Sequence, residues 1–283
     1  MNSLEQLPSG VRRNIAVHDR ISRHYEKTHG EIFNDQEQSR LHELLRRAID
    51  QIRTGRSPIH ALDMGCGSGN LTAHLLDLGA EVTAADVSTG FLKLVEQRYS
   101  GRPVKTHQLN GRDMSELPDE SFDLVATYSV LHHIPDYLAI CAEMGRVCRH
   151  GGLVVIDHEA SPNVWTPDAR LQRFRRSASR FDWRKFMRPA NYLHRLRRVF
   201  DRRYSNEGDI HVWPDDHIEW DRIVGVLRQS GCEPVIDEDY LLYRKLYRQD
   251  VWERWKDSCV DTRAMVFRRD GGSPAAKGEP DRA

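Results

Sequence analysis

The segment from Ala61 to Asp86 constrains the fold of this chain more than any other. It reads as an apolar strand, a turn with glycines at three alternate positions, a helix with regularly spaced leucines, and a second apolar strand that ends in an acid. A continuous apolar strand is typical of a parallel sheet covered on both faces. The glycines let a ligand approach the backbone, and the free amides at the start of the helix face that ligand. The segment therefore predicts an α/β fold with a ligand pocket at the glycine turn.

Two acids frame the glycine turn and indicate what the pocket holds. Asp86 ends the second strand about 20 residues after the turn begins, where a carboxylate can accept hydrogen bonds from both hydroxyls of a ribose. Asp63 precedes the glycines, and their spacing differs from the Gly-x-Gly-x-x-Gly pattern that brings a pyrophosphate to a helix. A carboxylate at this place disfavours phosphate but suits the ammonium group of an amino acid. The two acids therefore predict a nucleoside pocket.

Two further segments extend the pattern in the same order. Residues 112–118 read Arg-Asp-Met-Ser-Glu-Leu-Pro, and residues 121–133 read as a strand followed by two histidines. With the glycine turn, these segments resemble the motifs of the class I S-adenosylmethionine-dependent methyltransferases, in particular the small-molecule, type 11-like branch. The resemblance covers residues 59–158 by motif and 220–267 by general layout. It implies a Rossmann-like seven-stranded α/β sandwich with an N-terminal helical cap and an insertion before the last helix.

The resemblance also implies S-adenosylmethionine as the cofactor and assigns residues to its site. Asp63 and the glycines would line the methionine side of the cofactor. Asp86 would bind the ribose, and residues 112–118 would bind the adenine. Tyr25 and His29 lie one helical turn apart in the cap, where they would close over the methionine end or simply pack within a helix. The full set of predicted cofactor contacts is Asp63, Gly65, Cys66, Gly67, Gly69, Asp86, Val87, Asp113, Met114, Tyr128, Tyr25 and His29.

Methyl transfer to a hydroxyl requires a base that removes the proton. His132 and His133 follow the fourth predicted strand, at the open edge of the resembled fold, and histidine titrates near neutral pH. Either is a candidate base, although one could pack structurally while the other caps the turn before Pro135. His158 and His211 are weaker candidates on the same argument.

The chain divides into four predicted parts. Residues 1–55 would form the helical cap, residues 56–159 and 215–270 the methyltransferase core, residues 160–214 a lid or acceptor insertion, and residues 271–283 a disordered tail. Strands are expected at 59–64, 82–86, 104–109, 122–128 and 153–157. Two late strands, at 235–243 and 262–267, would pair antiparallel at the sheet edge, as in the resembled family.

The predicted insertion is rich in arginine, with aromatic residues between the arginines. This composition is typical of an amphipathic helix pair with solvated charges. It also suits an anionic acceptor or a membrane surface, because arginine binds phosphates and carboxylates through two parallel hydrogen bonds. Nucleic acid is a third possible partner of such a surface.

The remaining composition fits an intracellular enzyme. The 42 basic and 42 acidic residues balance, so no overall field points to a polyanionic partner. The five cysteines include no Cys-x-x-Cys pair, which favours a reduced, cytoplasmic setting. No apolar run approaches the roughly 18 residues that span a bilayer. The acids at 215–216 and 237–239 lack the converging spacing of a metal site, so no metal is expected.

These observations predict a methyltransferase that acts on a small molecule. O-methylation of a sugar, a lipid-linked saccharide or a secondary metabolite is favoured over transfer to nitrogen or carbon. Two alternatives stay open at this stage. The basic insertion could serve an RNA methyltransferase, or the chain could bind the cofactor as a regulatory protein without catalysis.

Overall fold

The computed structural model describes residues 9–21, 26, 29–178 and 217–270. Seven strands lie within these residues: β1 (His60–Met64), β2 (Glu81–Asp86), β3 (Val104–Gln108), β4 (Phe122–Tyr128), β5 (Cys148–Ala160), β6 (Cys232–Tyr240) and β7 (Thr262–Arg269). The α-helices among them are α1 (Ser9–Ile21), α2 (Asp35–Ile49), α3 (Asn70–Asp77), α4 (Thr89–Arg98), α5 (Tyr137–Val147), α6 (Ala169–Ala178), α7 (Trp220–Gln229) and α8 (Gln249–Trp255). The predicted tail and residues 179–214 of the predicted insertion lie outside the described residues.

The strands form one sheet in the order β3-β2-β1-β4-β5-β7-β6. Strands β1 to β5 pair in parallel, and β7 runs antiparallel to both β5 and β6. This topology confirms the predicted α/β sandwich, including the antiparallel pairing of the late strands. The carboxyl ends of β1, β2, β4 and β5 meet at one edge of the sheet, which is where open α/β sheets bind their ligands.

The core consists of two layers because successive side chains of a strand point to opposite faces of the sheet. On β4, Leu124 faces one layer and Val125 faces the other. The first layer is closed by α2, whose Leu41 and Leu44 are fully buried. The second is closed by α5 and α7, and Met144 of α5 is buried in it. Burial on both faces explains why the central strands are mainly apolar.

Strands β4 and β5 carry two residues of unusual conformation at adjacent positions. Tyr128 pairs with Asp157, and the backbone N–H of Ser129 donates to the carbonyl oxygen of Asp157 at 3.0 Å. Ser129 and His158, which follow this pair, have φ angles of 60° and 61°. The left-handed conformation costs a residue with a side chain about 1–2 kcal/mol, and such residues cluster at functional sites. This end of the sheet therefore stores strain on two neighbouring strands.

A third apolar cluster lies outside the two layers. Leu171 and Phe174 of α6 pack against Tyr247 and Trp252, which belong to the segment between β6 and β7. That segment contains α8, which the sequence analysis did not predict because the helix is short, lacks a side-chain cap and buries only Val251 and Trp252. Every helix within the described residues is too short or too polar to span a bilayer.

Candidate active site

The glycine turn folds around the end of β2. The backbone N–H groups of Gly65 and Cys66 both donate to the carbonyl oxygen of Ala85, at 2.8 and 3.0 Å. A β-carbon on Gly65 would lie 2.6 Å from a methyl group of Val130, whereas a β-carbon on Gly67 would meet no atom within 4 Å. Gly65 is therefore required by packing, and Gly67 leaves open space. Both glycines and Cys66 line one pocket, and their contact with the cofactor stays a prediction.

Asp86 lies buried in this pocket with its carboxylate held by two backbone amides. The N–H of Gly67 donates to Oδ2 at 2.9 Å, and the N–H of Ser88 donates to Oδ1 at 2.8 Å. These two bonds fix the orientation of the carboxylate. Asp86 and its neighbour Val87 both line the pocket. A fixed carboxylate at the end of the second strand can accept two hydroxyl groups of a ribose.

Asp63, the acid before the turn, is 1% exposed and also lines the pocket. Its Oδ2 accepts a hydrogen bond from the hydroxyl of Thr72 at 2.5 Å. Burial raises the pKa of Asp63 to about 7, the hydrogen bond from Thr72 opposes this rise, and the negative charge of Asp86 adds to it. A cationic ligand would offset the buried charge, so Asp63 is suited to bind an ammonium group.

Part of the pocket wall is apolar. It is formed by Phe33, Val87, Leu109, Met114, Ile134 and Ile140. Asp113 lies at this wall, but its Oδ1 accepts hydrogen bonds from the amide of Asn110 and the hydroxyl of Ser115. These hydrogen bonds lower the pKa of Asp113, whose carboxylate shapes its own loop. An apolar slot beside a polar loop suits a planar base, and adenine binding by Asp113 and Met114 stays a prediction.

Gly69 has a different role from the other two glycines. It is not among the residues that line the pocket. A β-carbon on Gly69 would lie 2.8 Å from the ring of Tyr99, and its φ angle is 89°. Its carbonyl oxygen accepts a hydrogen bond from the Tyr99 hydroxyl at 2.9 Å. Gly69 therefore allows the start of α3 to pack against α4, and the structure does not bring it to the predicted cofactor contact.

The two candidate bases after β4 have different surroundings. His133 lines the pocket, whereas His132 does not. Nδ1 of His132 lies 2.9 Å from Oε2 of Glu159, whose Oε1 accepts the backbone N–H groups of Val130 and Leu131 at 2.9 and 2.7 Å. Glu159, which the sequence analysis did not single out, thus anchors the turn that carries both histidines. The role of either histidine as a base stays a prediction.

Described residues of the predicted N-terminal cap line the pocket. Ile15 of α1 and Phe33, just before α2, line the pocket. His29 does not line it, and its Nδ1 lies 3.0 Å from Oε1 of Glu31. Tyr25 lies outside the described residues. N-terminal segments therefore cover the pocket, but the structure does not bring His29 to it.

Tyr128 lines the pocket and also contacts a cluster of buried polar residues. Asn34 caps α2 by accepting the backbone N–H of Glu37 at 3.0 Å, which places Glu37 and Arg40 over the ends of the strands. Arg40 donates to Oε1 of Glu37 at 2.5 Å and to Oδ2 of Asp157 at 2.8 Å. We call the following residues the buried polar cluster: Glu37, Arg40, Tyr128, Asp157, His158 and Tyr240.

The guanidinium of Arg40 compensates part of the negative charge of this cluster. Burial alone would raise the pKa of Glu37, but hydrogen bonds from His158 and Arg40 lower it to about 2. Burial raises the pKa of Asp157, and the charge of Arg40 opposes this rise. The guanidinium of Arg40 also lies 3.8 Å from the ring centre of Tyr240. Glu37 is therefore ionised and paired although its side chain is only 3% exposed.

The central part of the chain is similar to known methyltransferases. Residues 62–156 match the model of a family described as a methyltransferase domain. The chain is 32% identical over 112 residues to the ubiquinone biosynthesis O-methyltransferase of Methylococcus capsulatus, covering 39% of this chain and 47% of the relative. It is 31% identical over 153 residues to the demethylmenaquinone methyltransferase of Staphylococcus aureus, covering 52% of this chain and 61% of the relative. The chain thus spans about half to three fifths of these curated relatives.

A solved structure extends the likeness of the fold to most of the chain. A SAM-dependent methyltransferase from Leishmania major superposes with a TM-score of 0.58 at 13% sequence identity, covering 95% of this chain and 87% of that one. The matched domain and the curated relatives, together with the shared fold, support a class I S-adenosylmethionine-dependent methyltransferase. They agree with the family and with the cofactor, S-adenosylmethionine, that the sequence motifs indicated.

The pocket fits this cofactor in chemistry as well as in fold. A β-carbon on Gly67 would meet no atom within 4 Å, and the carboxylate of Asp63 is buried without a cation partner among the described residues. Asp63 suits the ammonium group of the cofactor, Asp86 its ribose, and the wall around Leu109 and Met114 its adenine. No group of three or more side chains suited to a metal ion occurs within the described residues.

Proposed function

We propose that this protein transfers a methyl group from S-adenosylmethionine to a hydroxyl group of a small molecule. The observation that carries the proposal is the pair Asp63 and Asp86 on either side of the glycine turn, because the two carboxylates match an amino acid and a ribose held in one ligand. The bound cofactor supplies an electrophilic methyl group on a sulfonium ion. The chain's task is to hold the two reactants in line for displacement at that carbon.

The residues of the pocket can perform this positioning. Asp86 is held by two backbone amides, so it binds a ribose without first reorganising. Ile15 and Phe33 cover the pocket from the N-terminal side, where an apolar cover excludes water from the sulfonium. Tyr128 and Ser129 line the pocket at the end of β4. We place the acceptor at this edge of the sheet, beside the segment that precedes α2 and the segment that follows β5.

The names of the relatives bear on the acceptor. The two curated relatives are named for the ubiquinone and menaquinone pathways, and one of them is an O-methyltransferase. These names support a hydroxylated aromatic ring as an acceptor, beside the sugars, lipid-linked saccharides and secondary metabolites that the sequence suggested. The apolar wall of the pocket is compatible with a small ring.

The proposal is tested by supplying acceptors directly. The purified chain is incubated with S-adenosylmethionine and, in turn, catechol, a naphthohydroquinone, methyl glucoside, a metabolite extract freed of protein and nucleic acid, and a short RNA. Mass spectrometry then follows S-adenosylhomocysteine and the methylated product. We expect one O-methylated small molecule, and much less product with Asp86→Ala at subsaturating cofactor. If the protein binds S-adenosylhomocysteine tightly but forms none from S-adenosylmethionine in any of the reactions, a regulatory protein is favoured instead. Methylation of the RNA would overturn the proposal that the acceptor is a small molecule.

We further propose that the basic insertion favours an acceptor with a negative charge. Its described part includes Arg175, which is half-buried, and Arg176, which is exposed, both on α6. Replacing both with alanine should raise the KM for protocatechuate while leaving that for the neutral catechol unchanged. The control replaces Arg222 and Arg228, exposed arginines of α7, with alanine. Equal effects on the two acceptors would contradict a charge-selective role.

A further inference from the structure

Two side chains at the start of α3 have hydrogen-bonding groups that no other described residue uses. Ser68 and Asn70 flank Gly69 at the end of the glycine turn, and both line the pocket. Ser68 is 2% exposed, and its hydroxyl oxygen is buried without a hydrogen-bond partner among the described residues. The amide nitrogen Nδ2 of Asn70 is buried and unpartnered in the same sense. Buried polar groups without partners are rare, so two of them in one turn of a pocket indicate a ligand that bonds to them.

The orientation of the Asn70 amide follows from its neighbours. Nε2 of Gln38, on α2, donates to the backbone carbonyl oxygen of Ile32 at 3.0 Å and to Oδ1 of Asn70 at 2.9 Å. Because a carbonyl oxygen can only accept, the Gln38 amide must present its nitrogen here, and Asn70 must meet it with oxygen. The other end of the Gln38 amide, Oε1, lies 2.9 Å from Nε2 of His74. Asn70 therefore keeps both hydrogens of Nδ2 for another acceptor.

A purely structural contact would not need these groups. The hydrogen bonds of Gln38 to Oδ1 of Asn70 and to His74 already connect α2 to α3. Arg98 of α4 donates to the backbone carbonyl oxygen of Ser68 at 2.9 Å, which holds the turn through its main chain. None of these bonds uses the Ser68 hydroxyl or Nδ2 of Asn70. Both groups are therefore available to a ligand in the pocket that the two residues line.

The surroundings of these donors favour a carboxylate. Thr72, in the first turn of α3, donates to Asp63, which suits the ammonium group of an amino acid. The ammonium and carboxylate groups of an amino acid share one carbon, so the residues that bind them must lie close together. The helix α3 also begins without a side-chain cap. The backbone N–H groups at such a helix start favour an anion.

We propose that Ser68 and Asn70 bind the α-carboxylate of the cofactor, and that Gln38 is a positioning residue that holds the Asn70 amide for it. This proposal rests on S-adenosylmethionine as the cofactor of the proposed function. The Ser68 hydroxyl and Nδ2 of Asn70 each donate a hydrogen bond to a carboxylate oxygen, and hydrogen bonds to a charged acceptor are the stronger kind. With Asp63 at the ammonium group, the site binds both charges of the amino acid.

Two ligands that differ only in the carboxylate test this proposal by calorimetry. S-adenosylhomocysteine carries the carboxylate, and decarboxylated S-adenosylhomocysteine keeps the adenosine, the sulfur and the ammonium group. Ser68→Ala and Asn70→Ala should each raise the Kd for S-adenosylhomocysteine roughly tenfold or more, and that for the decarboxylated ligand by less than about threefold. Ser258→Ala, at an exposed serine after α8, is the matched control and should bind both ligands like the parent.

A charged variant separates recognition from packing. Asn70→Asp keeps the size of the side chain and an oxygen that accepts from Gln38, but it replaces the donor with a negative charge. It should weaken S-adenosylhomocysteine at least as much as Asn70→Ala does, and bind the decarboxylated ligand as well as the parent or better. Gln38→Ala should weaken S-adenosylhomocysteine more than the decarboxylated ligand. Equal losses for the two ligands in the Ser68 and Asn70 variants, or no loss, would overturn the proposal. Failure of the parent to bind S-adenosylhomocysteine would instead overturn the proposed function.

Discussion

The protonation of Asp63 should make cofactor binding depend on pH. In the free protein the pKa of Asp63 is raised to about 7 by burial, and Asp86 adds to the rise. An ammonium group against Asp63 requires the ionised carboxylate. Near pH 5 only about 1% of Asp63 is ionised, and near pH 7 about half is, so the Kd should fall roughly fifty-fold over this interval. The α-ammonium of the ligand, with a pKa of about 8, stays protonated throughout.

Calorimetry with S-adenosylhomocysteine measures this coupling directly. The ligand is titrated from about pH 5 to pH 7 in two buffers of different ionisation enthalpy, so that proton release is counted. Near pH 6 we expect about 0.9 proton released per ligand bound. Asp63→Asn keeps an oxygen that can accept from Thr72 but cannot titrate, so its Kd should be flat across this range. A flat Kd in the parent, with no proton released, would refute the assignment of Asp63 to the ammonium group.

The same carboxyl group affects the stability of the ligand-free protein with a defined sign. Its folded pKa is raised, so the folded state keeps a proton that the unfolded state loses above about pH 4. The free energy of unfolding should therefore fall between about pH 4 and pH 7 by at most about 4 kcal/mol, and this component should be level above pH 7. Denaturant titrations of the parent and Asp63→Asn should show the difference growing across this window. Equal slopes would argue against a raised pKa.

Two further variants separate binding from packing. Asp86→Ala should weaken S-adenosylhomocysteine binding by about 2 kcal/mol, or roughly thirty-fold, because charge-assisted hydrogen bonds to the ribose are lost. Calorimetry compares this variant with Asp119→Ala, a control at an exposed site. Unchanged affinity in Asp86→Ala would show that Asp86 does not bind the ligand. Gly69→Ala should lower the free energy of unfolding by about 1–3 kcal/mol, since its β-carbon would clash with Tyr99. Gly79 also has a positive φ, but a β-carbon there would meet no atom within 4 Å, so Gly79→Ala is the control. If denaturation shows equal losses of stability in the two variants, the packing argument is wrong.

The sheet and the cofactor end of the site could be predicted because their signals are local. The apolar run of β1, the glycine turn and Asp86 lie within one continuous stretch, and each follows from a short-range rule of chain geometry. The packing role of Gly69 could not be separated from the role of Gly67 on spacing alone. That distinction depends on Tyr99, which comes from the next helix and reaches the turn only after folding.

The buried polar cluster could not be predicted for a related reason. Arg40 and Asp157 are 117 residues apart, and Tyr240 lies a further 83 residues beyond Asp157. In the sequence, Glu37 and Arg40 read as ordinary charges on an amphipathic helix, because most such charges are solvated. Only the packing of α2 across the ends of β4 and β5 brings them together. His158 was visible as a weak candidate, but its hydrogen bond to Glu37 was not.

Transfer of a labelled methyl group tests the central claim most directly. The protein is incubated with S-adenosylmethionine that carries a deuterated methyl group, together with the acceptor panel, and mass spectrometry follows both products. The account predicts that one small molecule gains a single labelled methyl group on oxygen, in equal amount to the S-adenosylhomocysteine formed, and that Asp86→Ala reduces both products together at subsaturating cofactor. Formation of S-adenosylhomocysteine at the same slow rate with and without every acceptor, and no labelled product, would contradict it.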